Sequence, residues 1–185
     1  YIVAEFSLNP PTLLPAFTGG FFKVRLYQRS YSWGKQQVDD YWHDMIRAIS
    51  ENTQYFLGTL VFSKADSDLT TSVIDGQQRL ATTSILLAAM RDEWRRRGDQ
   101  KMDATYSEYI FPTDPEDYNE KPRIRLNVDD HPYYESAILR GNGDVPVLES
   151  HTKIKLAYDT MARNVAELAD KAGPDWKLEF SKIYR

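Results

Sequence analysis

Hydrophobic residues recur at helical spacing between Lys35 and Asn52. Steps of three residues alternate there with steps of one, so the apolar side chains form a single stripe along one face of a helix. The segment is therefore predicted to be an amphipathic helix with one side against a core. The stripe consists of Val38, Tyr41, Trp42, Met45, Ile46 and Ile49.

Three short segments are typical of β-strands. Polar and apolar residues alternate over 23–26, and 56–62 and 71–74 are rich in β-branched and aromatic residues. The connection between the last two contains Asp66-Ser-Asp68, which favours a turn, so we expect an antiparallel hairpin. The first 22 residues are rich in proline, glycine and phenylalanine and predict an irregular lead-in.

A second long helix is predicted from about Gln78 to Arg97, with Gly98 as its natural stop. The proline-bounded segment 112–122 predicts a loop, and 123–126 predicts another strand. Helical patterns return over 132–139, from Ile154 to Leu168, and from Asp175 onward. The apolar face of the second long helix consists of Leu80, Thr83, Leu87, Met90 and Trp94, broadened by Ile85 and Leu86.

These elements predict an α/β fold in which strands and helices mix in the first half and helices dominate the second. We expect a core domain over residues 1–110 and a mainly helical region over 111–185. The chain begins with Tyr1 and stops inside an amphipathic pattern, so we expect the natural chain to continue. No stretch approaches the roughly 18 apolar residues of a membrane span, so we expect a soluble protein, and the absence of cysteine fits a reducing cytoplasm.

The composition of the chain limits the kinds of binding and catalytic site that it can contain. The net charge is −4, whereas chains that hold DNA mainly by its phosphates usually carry positive charge, so any nucleic-acid contact requires a local basic patch. The absence of cysteine excludes disulfides, thiolate zinc sites and cysteine nucleophiles. His43, His131 and His151 lie far apart, without metal-ligand spacing, and are interpreted as non-catalytic.

Two polar clusters follow predicted strands: Tyr27-Gln28-Arg29, and Asp75-Gly76-Gln77-Gln78-Arg79 at the start of a helix. A strand, a glycine turn and a helix N-terminus form a common template for binding an anion, because the first amide groups are unpaired and the helix dipole favours negative charge. Arg79 is mismatched to that dipole unless an anion lies nearby, and Arg29 can supply a second guanidinium. The alternative is an ordinary turn followed by a solvated first helical turn.

Two further groups of charged residues have simpler interpretations. Arg91 and Arg95 to Arg97 form a basic run at a helix end, where cations are favourable, although a phosphate contact remains the alternative. Asp129 and Asp130 precede a predicted helix and are interpreted as its cap rather than as a metal pair.

The polar clusters belong to an ordered series of motifs between about residues 22 and 165. The motifs are Tyr27-Gln-Arg-x-Tyr-x-Trp33, Tyr55-Phe-Leu-Gly-Thr-Leu60, Val73-Ile-Asp-Gly-Gln-Gln-Arg-Leu80, Ile124-Arg-Leu126, Tyr133-Tyr134 and Ile154-x-x-Ala-Tyr158. This series resembles the ParB/sulfiredoxin-like N-terminal domain of GmrSD-type modification-dependent restriction proteins, which also forms the front of the phosphorothioate-sensing SspE proteins.

The resemblance implies a ParB-like small mixed sheet with flanking helices, followed by a mainly helical region. It also implies an NTPase, with GTP and Mg²⁺ favoured, in a bacterial antiphage protein that recognises modified DNA such as phosphorothioate DNA. A C-terminal HNH nuclease domain is implied for the full protein, and a homo-oligomer is left open. After Tyr158 there is no HxxP-like histidine motif, so we do not expect DNA cleavage by a nuclease domain of that kind within this segment.

The resemblance also implies roles for the two clusters. Arg29 and Arg79 are expected to bind phosphate, Asp75 to orient a metal ion or water, and Gln77 or Gln78 to position the attacking water. Two alternatives stay open: a non-catalytic module that reads modified DNA, and a ParB-like domain with its own nuclease activity. The full expected sets are Asp75, Gln77, Gln78 and Arg79 for catalysis, Gln28, Arg29, Gly76 and Arg79 for nucleotide binding, Tyr27, Tyr31 and Trp33 for DNA sensing, and Asp75 for metal.

Overall fold

The computed structural model describes residues 2–8, 20–53, 55–63 and 70–184. Within these residues the strands form one five-stranded sheet in the order β1-β3-β4-β2-β5. Neighbours β1 and β3, and β3 and β4, are antiparallel, whereas β2 runs parallel to both β4 and β5, so the sheet is mixed. The strands are β1 Ile2–Leu8, β2 Phe21–Val24, β3 Tyr55–Phe62, β4 Thr70–Asp75 and β5 Ile124–Arg125.

Helices cover the sheet and make up most of the second half of the chain. The short helix α4 continues without interruption into a π-helical segment, Tyr134–Leu139. A 3₁₀ turn, Gly173–Asp175, joins the last two helices. The helices are α1 Lys35–Glu51, α2 Gln77–Arg96, α3 Gln100–Ile110, α4 His131–Tyr133, α5 Glu149–Ala172 and α6 Trp176–Tyr184.

The parallel pairing of β2 with β4 decides where the functional residues lie. Val24 at the end of β2 is in register with Val73 near the end of β4, so both strands end at the same edge of the sheet. The loop 25–34 leaves β2 at this edge, and α2 begins there directly after β4. The two polar clusters predicted from the sequence are therefore brought together by the sheet itself.

Helix α2 is the central helix of the fold. Every residue from Leu80 to Arg91 is buried, including Thr82, Thr83 and Ser84. A helix that lies on the surface buries only one stripe, whereas α2 packs against α3 and α5 as well as the π-helical segment and β5. The predicted apolar face is thus confirmed but describes only part of what this helix buries.

The predicted α/β class, with a small mixed sheet and flanking helices, is confirmed. Helix α1 matches its prediction and ends where Asn52 adopts a left-handed backbone with φ 51°. Strands β3 and β4 form the expected antiparallel pair, although the predicted turn at Asp66-Ser-Asp68 lies outside the described residues. The segment 112–122 is irregular as predicted, apart from an isolated bridge between Thr113 and Glu120.

Three elements differ from the sequence-based prediction. Part of the expected lead-in, residues 2–8, is strand β1, which pairs with β3, while 9–19 lie outside the described residues. Strand β2 begins at Phe21 and ends at Val24, because Phe22 N–H donates to the Arg123 carbonyl beside β5 and the chain turns after Val24. Helix α3 was not predicted at all.

The hydrophobic core is continuous across residue 110. One cluster of buried side chains joins the sheet and α2 to Ile154, Met161 and Val165 of α5 and to Phe180 of α6. Within the described residues, no helix combines the length and the apolar character needed to cross a membrane.

Candidate functional site

An open, mostly polar cavity of about 410 Å³ lies at the edge where β2 and β4 end. One wall comes from the loop 25–34 and the other from the junction between β4 and α2. Residues of both predicted clusters therefore line the same cavity, although Tyr27 is not among them. The lining residues are Gln28, Arg29, Trp33, Ile74, Asp75, Gly76, Gln77, Gln78 and Arg79.

Gly76 makes the sharp turn from β4 into α2. Its backbone has φ 88°, in the left-handed region that glycine adopts without strain. The Asp75 carboxylate accepts a hydrogen bond of 2.8 Å from Gly76 N–H, so the carboxylate lies against the turn and remains exposed. No side chain caps the N-terminus of α2, whose first amide groups point toward the cavity end of the helix.

The side chain of Gln78 holds the loop 25–34 against α2. Its Oε1 accepts a hydrogen bond of 2.8 Å from Ser32 N–H, and its Nε2 donates to the Ser30 carbonyl at 3.2 Å. Both polar atoms of this buried side chain are thus used inside the protein. Gln78 is consequently a loop-positioning residue here, which differs from the water-positioning role expected from the sequence.

Gln28 and Gln77 tie the two clusters together from opposite sides. Gln28 Nε2 donates to the Ile74 carbonyl at 2.6 Å, while its Oε1 accepts from Arg25 N–H at 3.0 Å. Gln77 Nε2 donates to the Arg29 carbonyl at 3.0 Å. Both glutamines line the cavity, and each uses at least one polar side-chain atom to hold the loop 25–34 against the β4–α2 junction.

Asn127 and Asp130 complete the support of the loop, and both were missed as site residues by the sequence analysis. Asn127 Nδ2 donates to the Gln28 carbonyl at 3.2 Å and to Ser30 Oγ at 3.1 Å. Asp130 Oδ2 accepts a hydrogen bond of 2.6 Å from Tyr31 N–H.

The predicted capping role of Asp130 is not what the structure shows. Asp130 occupies the N-cap position of α4 but makes no side-chain cap. Its carboxylate points to the loop 25–34 instead, and the side chain is only 1% exposed. The one available signal was the Asn127-Val-Asp-Asp130 sequence directly after a predicted strand.

Arg29 and Arg79 present free guanidinium groups to the cavity. Among the described residues, neither group forms an ion pair or hydrogen bond. Arg29 is exposed and Arg79 is half-buried. The site therefore combines two unpaired positive charges with the N-terminus of α2, which is the electrostatic arrangement that an anion requires.

The basic run at the end of α2 is arranged differently. Arg91 donates to the carbonyls of Leu139 and Ile138. Arg95 pairs with Asp103, and both Arg96 and Arg97 bind Glu93. Burial acts to raise the pKa of the Glu93 carboxyl, but the hydrogen bonds from Arg96 and Arg97 lower it overall. These four arginines therefore bind groups of the protein itself at the C-terminal end of α2.

The three aromatic residues expected to sense DNA lie in different environments. Tyr27 is 79% exposed, and its hydroxyl accepts a hydrogen bond of 2.9 Å from Arg25. Trp33 is half-buried, lines the cavity and packs against Tyr41 at 6.1 Å between ring centroids. Tyr31 is buried, with its hydroxyl 2.7 Å from Thr82 Oγ1, and burial raises the pKa of its phenol. A ligand in the cavity can contact Trp33, whereas Tyr31 belongs to the core.

Among the described residues, no group of three or more histidine, aspartate or glutamate side chains is arranged to hold a metal ion. Asp75 supplies one exposed carboxylate beside the cavity. One carboxylate fits Mg²⁺ that arrives with a nucleotide, because Mg²⁺ commonly takes its remaining ligands from phosphates and water.

None of the three histidines is among the residues that line the open cavity. His43 is exposed on α1. His131 lies 3.3 Å from Glu135, and burial lowers its pKa. His151 stacks on Tyr133 and contacts the Asp129 carbonyl at 2.9 Å.

Comparison with known protein families gives one match, to the GmrSD restriction endonuclease N-terminal domain, over residues 13–171. A comparison with curated proteins finds no match. The family match includes both polar clusters, the strands β2 to β5 and the central helix α2. The chain therefore belongs to the family of GmrSD restriction endonuclease N-terminal domains.

Proposed function

We propose that this domain binds and hydrolyses a nucleoside triphosphate, and that it acts as the sensor module of a restriction protein that recognises modified DNA. The observation that carries the proposal is the pair of unpaired guanidinium groups, Arg29 and Arg79, in one polar cavity at the N-terminus of α2. Arg29 is exposed and Arg79 is half-buried, so water solvates both charges in part, and an anion bound in the cavity would be attracted by both guanidinium groups at once.

A polyphosphate fits the electrostatics of this cavity. Arg29 and Arg79 bind phosphate oxygens through their planar donor groups, and the first amides of α2 provide further donors. The cavity volume of about 410 Å³ is within the range of small-molecule sites. Trp33 supplies the aromatic part of the cavity wall and is the residue best placed to contact a nucleobase.

Hydrolysis requires charge stabilisation more than covalent chemistry. Water attacks the γ-phosphorus, the bond to the β–γ bridging oxygen breaks, and the products are a nucleoside diphosphate and inorganic phosphate. Arg79 and Arg29 stabilise the charge that develops on the transferred group. Mg²⁺, when bound beside Asp75, supplies further neutralisation of the phosphate oxygens.

We assign the glutamines to supporting the site rather than to the attacking water. Both polar atoms of Gln78 hold the loop 25–34, Nε2 of Gln77 donates to the Arg29 carbonyl, and Gln77 Oε1 is buried. Gln28, Gln77 and Gln78 then position the loop, and Asp75, Arg29 and Arg79 act on the nucleotide.

Recognition of modified DNA is proposed for the rim of the same cavity. Leu26 is 66% exposed and Tyr27 is 79% exposed, and both precede Arg29 on the loop 25–34. An exposed apolar side chain, a tyrosine and a free arginine are suited to a nucleic-acid backbone whose phosphate carries a less polar substituent. In the full protein, occupancy of the cavity would then control a fused HNH nuclease.

A non-catalytic module that reads modified DNA is the second candidate, and the exposure of Leu26 and Tyr27 is the observation that favours it. In that case Arg29 and Arg79 contact DNA phosphates directly. The two candidates differ in whether a free nucleotide binds.

Isothermal titration of GTP, ATP and CTP with Mg²⁺ tests the proposal. We expect binding by the wild-type chain and loss of binding in Arg79→Ala. Arg47→Ala is the matched control, because Arg47 is exposed on α1 and pairs only with Asp44 among the described residues. Release of inorganic phosphate then tests hydrolysis. Absence of binding by every nucleotide would overturn the proposal in favour of the DNA-reading module.

A further inference from the structure

Two buried oxygen atoms beside the candidate site have no hydrogen-bond partner among the described residues: Gln77 Oε1 and Asp130 Oδ1. Both residues line a second, much smaller cavity of about 10 Å³, walled also by Tyr31, Leu126 and Asn127. This small cavity lies between the loop 25–34, the start of α2 and the segment that contains Leu126, Asn127 and Asp130. Two buried acceptors therefore border one space of about the size of a water molecule.

The orientation of both side chains is fixed by their other atoms. The Arg29 carbonyl can only accept, so the Gln77 atom facing it at 3.0 Å must be the amide nitrogen, which leaves Oε1 on the other side. Asp130 Oδ2 is held by Tyr31 N–H at 2.6 Å, which leaves Oδ1. The two unpaired atoms are consequently both acceptors: turning over the Gln77 amide would break its hydrogen bond to the Arg29 carbonyl, and turning over the Asp130 carboxylate only exchanges two equivalent oxygens.

An occupant that satisfies both atoms must donate two hydrogens and fit a space of about one water molecule. We propose that a single buried water binds here and donates one hydrogen to Gln77 Oε1 and the other to Asp130 Oδ1. A buried acceptor without a donor lowers the stability of the fold, and one water at this position supplies a donor to both acceptors. This proposal does not depend on which ligand the open cavity takes.

A metal ion is a poorer occupant of this space. Mg²⁺ and Ca²⁺ require about six or more oxygen ligands, whereas this cavity offers one carboxylate oxygen and one amide oxygen that are unpaired. Asn127 Oδ1 accepts from Asp130 N–H at 3.0 Å, and even with its second lone pair the side-chain oxygens would number only three.

The water gives Asp130 a role in the candidate site. Gln77 lines both the open cavity and the small one, so the water connects the segment before α4 to a side chain that faces the ligand. Asp130 is therefore a positioning residue in two ways, through Tyr31 N–H and through the water to Gln77.

A crystal structure of the chain that resolves ordered water tests this inference. We expect one density peak at about 2.7–3.0 Å from both Gln77 Oε1 and Asp130 Oδ1. In Asp130→Asn the peak should remain, because Asn Oδ1 still accepts from Tyr31 N–H and its Nδ2 donates to the water, which still donates to Gln77. A metal ion would instead show shorter distances in the wild type and disappear in Asp130→Asn.

Solution NMR provides a second measurement that does not depend on any variant folding. We expect cross-peaks between a long-lived water and the side-chain amide protons of Gln77 in the wild-type chain. An empty cavity with no such cross-peaks, or a metal ion in place of the water, would overturn the inference.

Discussion

The Asp130 carboxylate accepts a hydrogen bond of 2.6 Å from Tyr31 N–H, although 99 positions separate the two residues in sequence. Tyr31 belongs to the loop that carries Arg29, whereas Asp130 precedes α4 in the second half of the chain. The loop is held from its other side by Gln78 at the start of α2. The candidate site is therefore completed only when both halves of the chain are folded together.

The predicted boundary near residue 110 leads to a direct test by truncation. We expect residues 1–110 alone to lack cooperative unfolding, because α2 would lose the buried side chains of α5, among them Ile154 and Met161, and β2 would lose β5. Denaturant unfolding followed by circular dichroism, with the full chain as control, measures this. A cooperative transition in the truncated chain would instead show two independent domains.

Gln78→Ala should both destabilise the domain and weaken ligand binding. The variant leaves Ser32 N–H and the Ser30 carbonyl without their partners, at a cost of about 1–3 kcal/mol in the free energy of unfolding. The loop that presents Arg29 then loses its fixed position, so nucleotide affinity should fall as well. Urea unfolding and isothermal titration measure the two effects.

Gln36→Ala is the matched control for that experiment, because Gln36 contacts only Asp40 among the described residues, on the exposed side of α1. Its effect should stay within about 0.5 kcal/mol, with unchanged affinity. Equal affinity in Gln78→Ala and the wild type would show that the loop keeps its geometry without this side chain.

Local sequence pattern was sufficient for much of the fold and for the location of the site. The stripe in α1, the β3–β4 pair and the Asp75-Gly76 turn depend on near neighbours in sequence, and all three are present in the structure. The sequence places each polar cluster directly after a strand but does not show that the two strands pair in parallel. The convergence of the clusters on one cavity then follows from the register of β2 and β4.

Features that depend on distant residues could not be predicted in the same way. The burial of α2 from Leu80 to Arg91 reflects packing against elements on several sides, which no single stripe encodes, so the pattern does not identify Thr82 and Ser84 as core positions. Asn127 and Asp130 act through contacts nearly 100 positions away. The amide of Gln78 is chemically suited both to supporting a loop and to positioning a water. Only its hydrogen bonds to Ser32 and Ser30 distinguish the two roles.

Because Tyr31 is buried and Tyr27 is exposed, we expect substitutions at the two positions to have opposite effects on stability and on DNA affinity. Tyr31→Phe removes the hydroxyl that is 2.7 Å from Thr82, so we expect a loss of about 1 kcal/mol in stability and no direct effect on DNA affinity. Tyr27→Ala removes an exposed side chain, so it should leave stability within about 0.5 kcal/mol while lowering affinity for modified DNA.

Thermal unfolding and electrophoretic mobility shifts with modified DNA measure both variants. If Tyr31→Phe lowers DNA affinity more than Tyr27→Ala, the buried tyrosine contacts DNA after a movement of the loop. In that event the exposed rim is not the recognition surface.

Burial of His131 predicts a stability that falls at mildly acidic pH. Burial lowers the pKa of this imidazole below its ordinary value near 6.5, while Glu135 opposes the shift. The unfolded chain therefore binds the proton more readily, so the stabilising contribution is complete above that ordinary value and is lost as the pH falls toward the lowered pKa. Melting temperatures at pH of about 7.5 and about 5.5 measure the loss.

His131→Gln should show a smaller difference between the two pH values than the wild type. His43→Gln is the matched control, because His43 is exposed on α1 and should leave the pH dependence unchanged. An unchanged pH dependence in His131→Gln would assign the acid sensitivity to other groups.

Gly76→Ala tests whether the turn at the base of the candidate site needs glycine. With φ at 88°, a side chain at this position meets the steric cost of the left-handed backbone, about 1–2 kcal/mol in stability. Gly34→Ala is the matched control, since Gly34 also precedes a helix but has φ −97°, and an added Cβ there meets only Gln37 Oε1 at 3.5 Å. Its cost should stay below about 1 kcal/mol.

Because Gly76 sets the direction in which α2 leaves β4, the Gly76 variant should also lose nucleotide affinity, whereas the Gly34 variant should keep it. Equal losses of stability in urea unfolding would show that the turn relaxes to accept a side chain, and the geometry of the site would then depend on Gln78 and Asp130 rather than on this glycine.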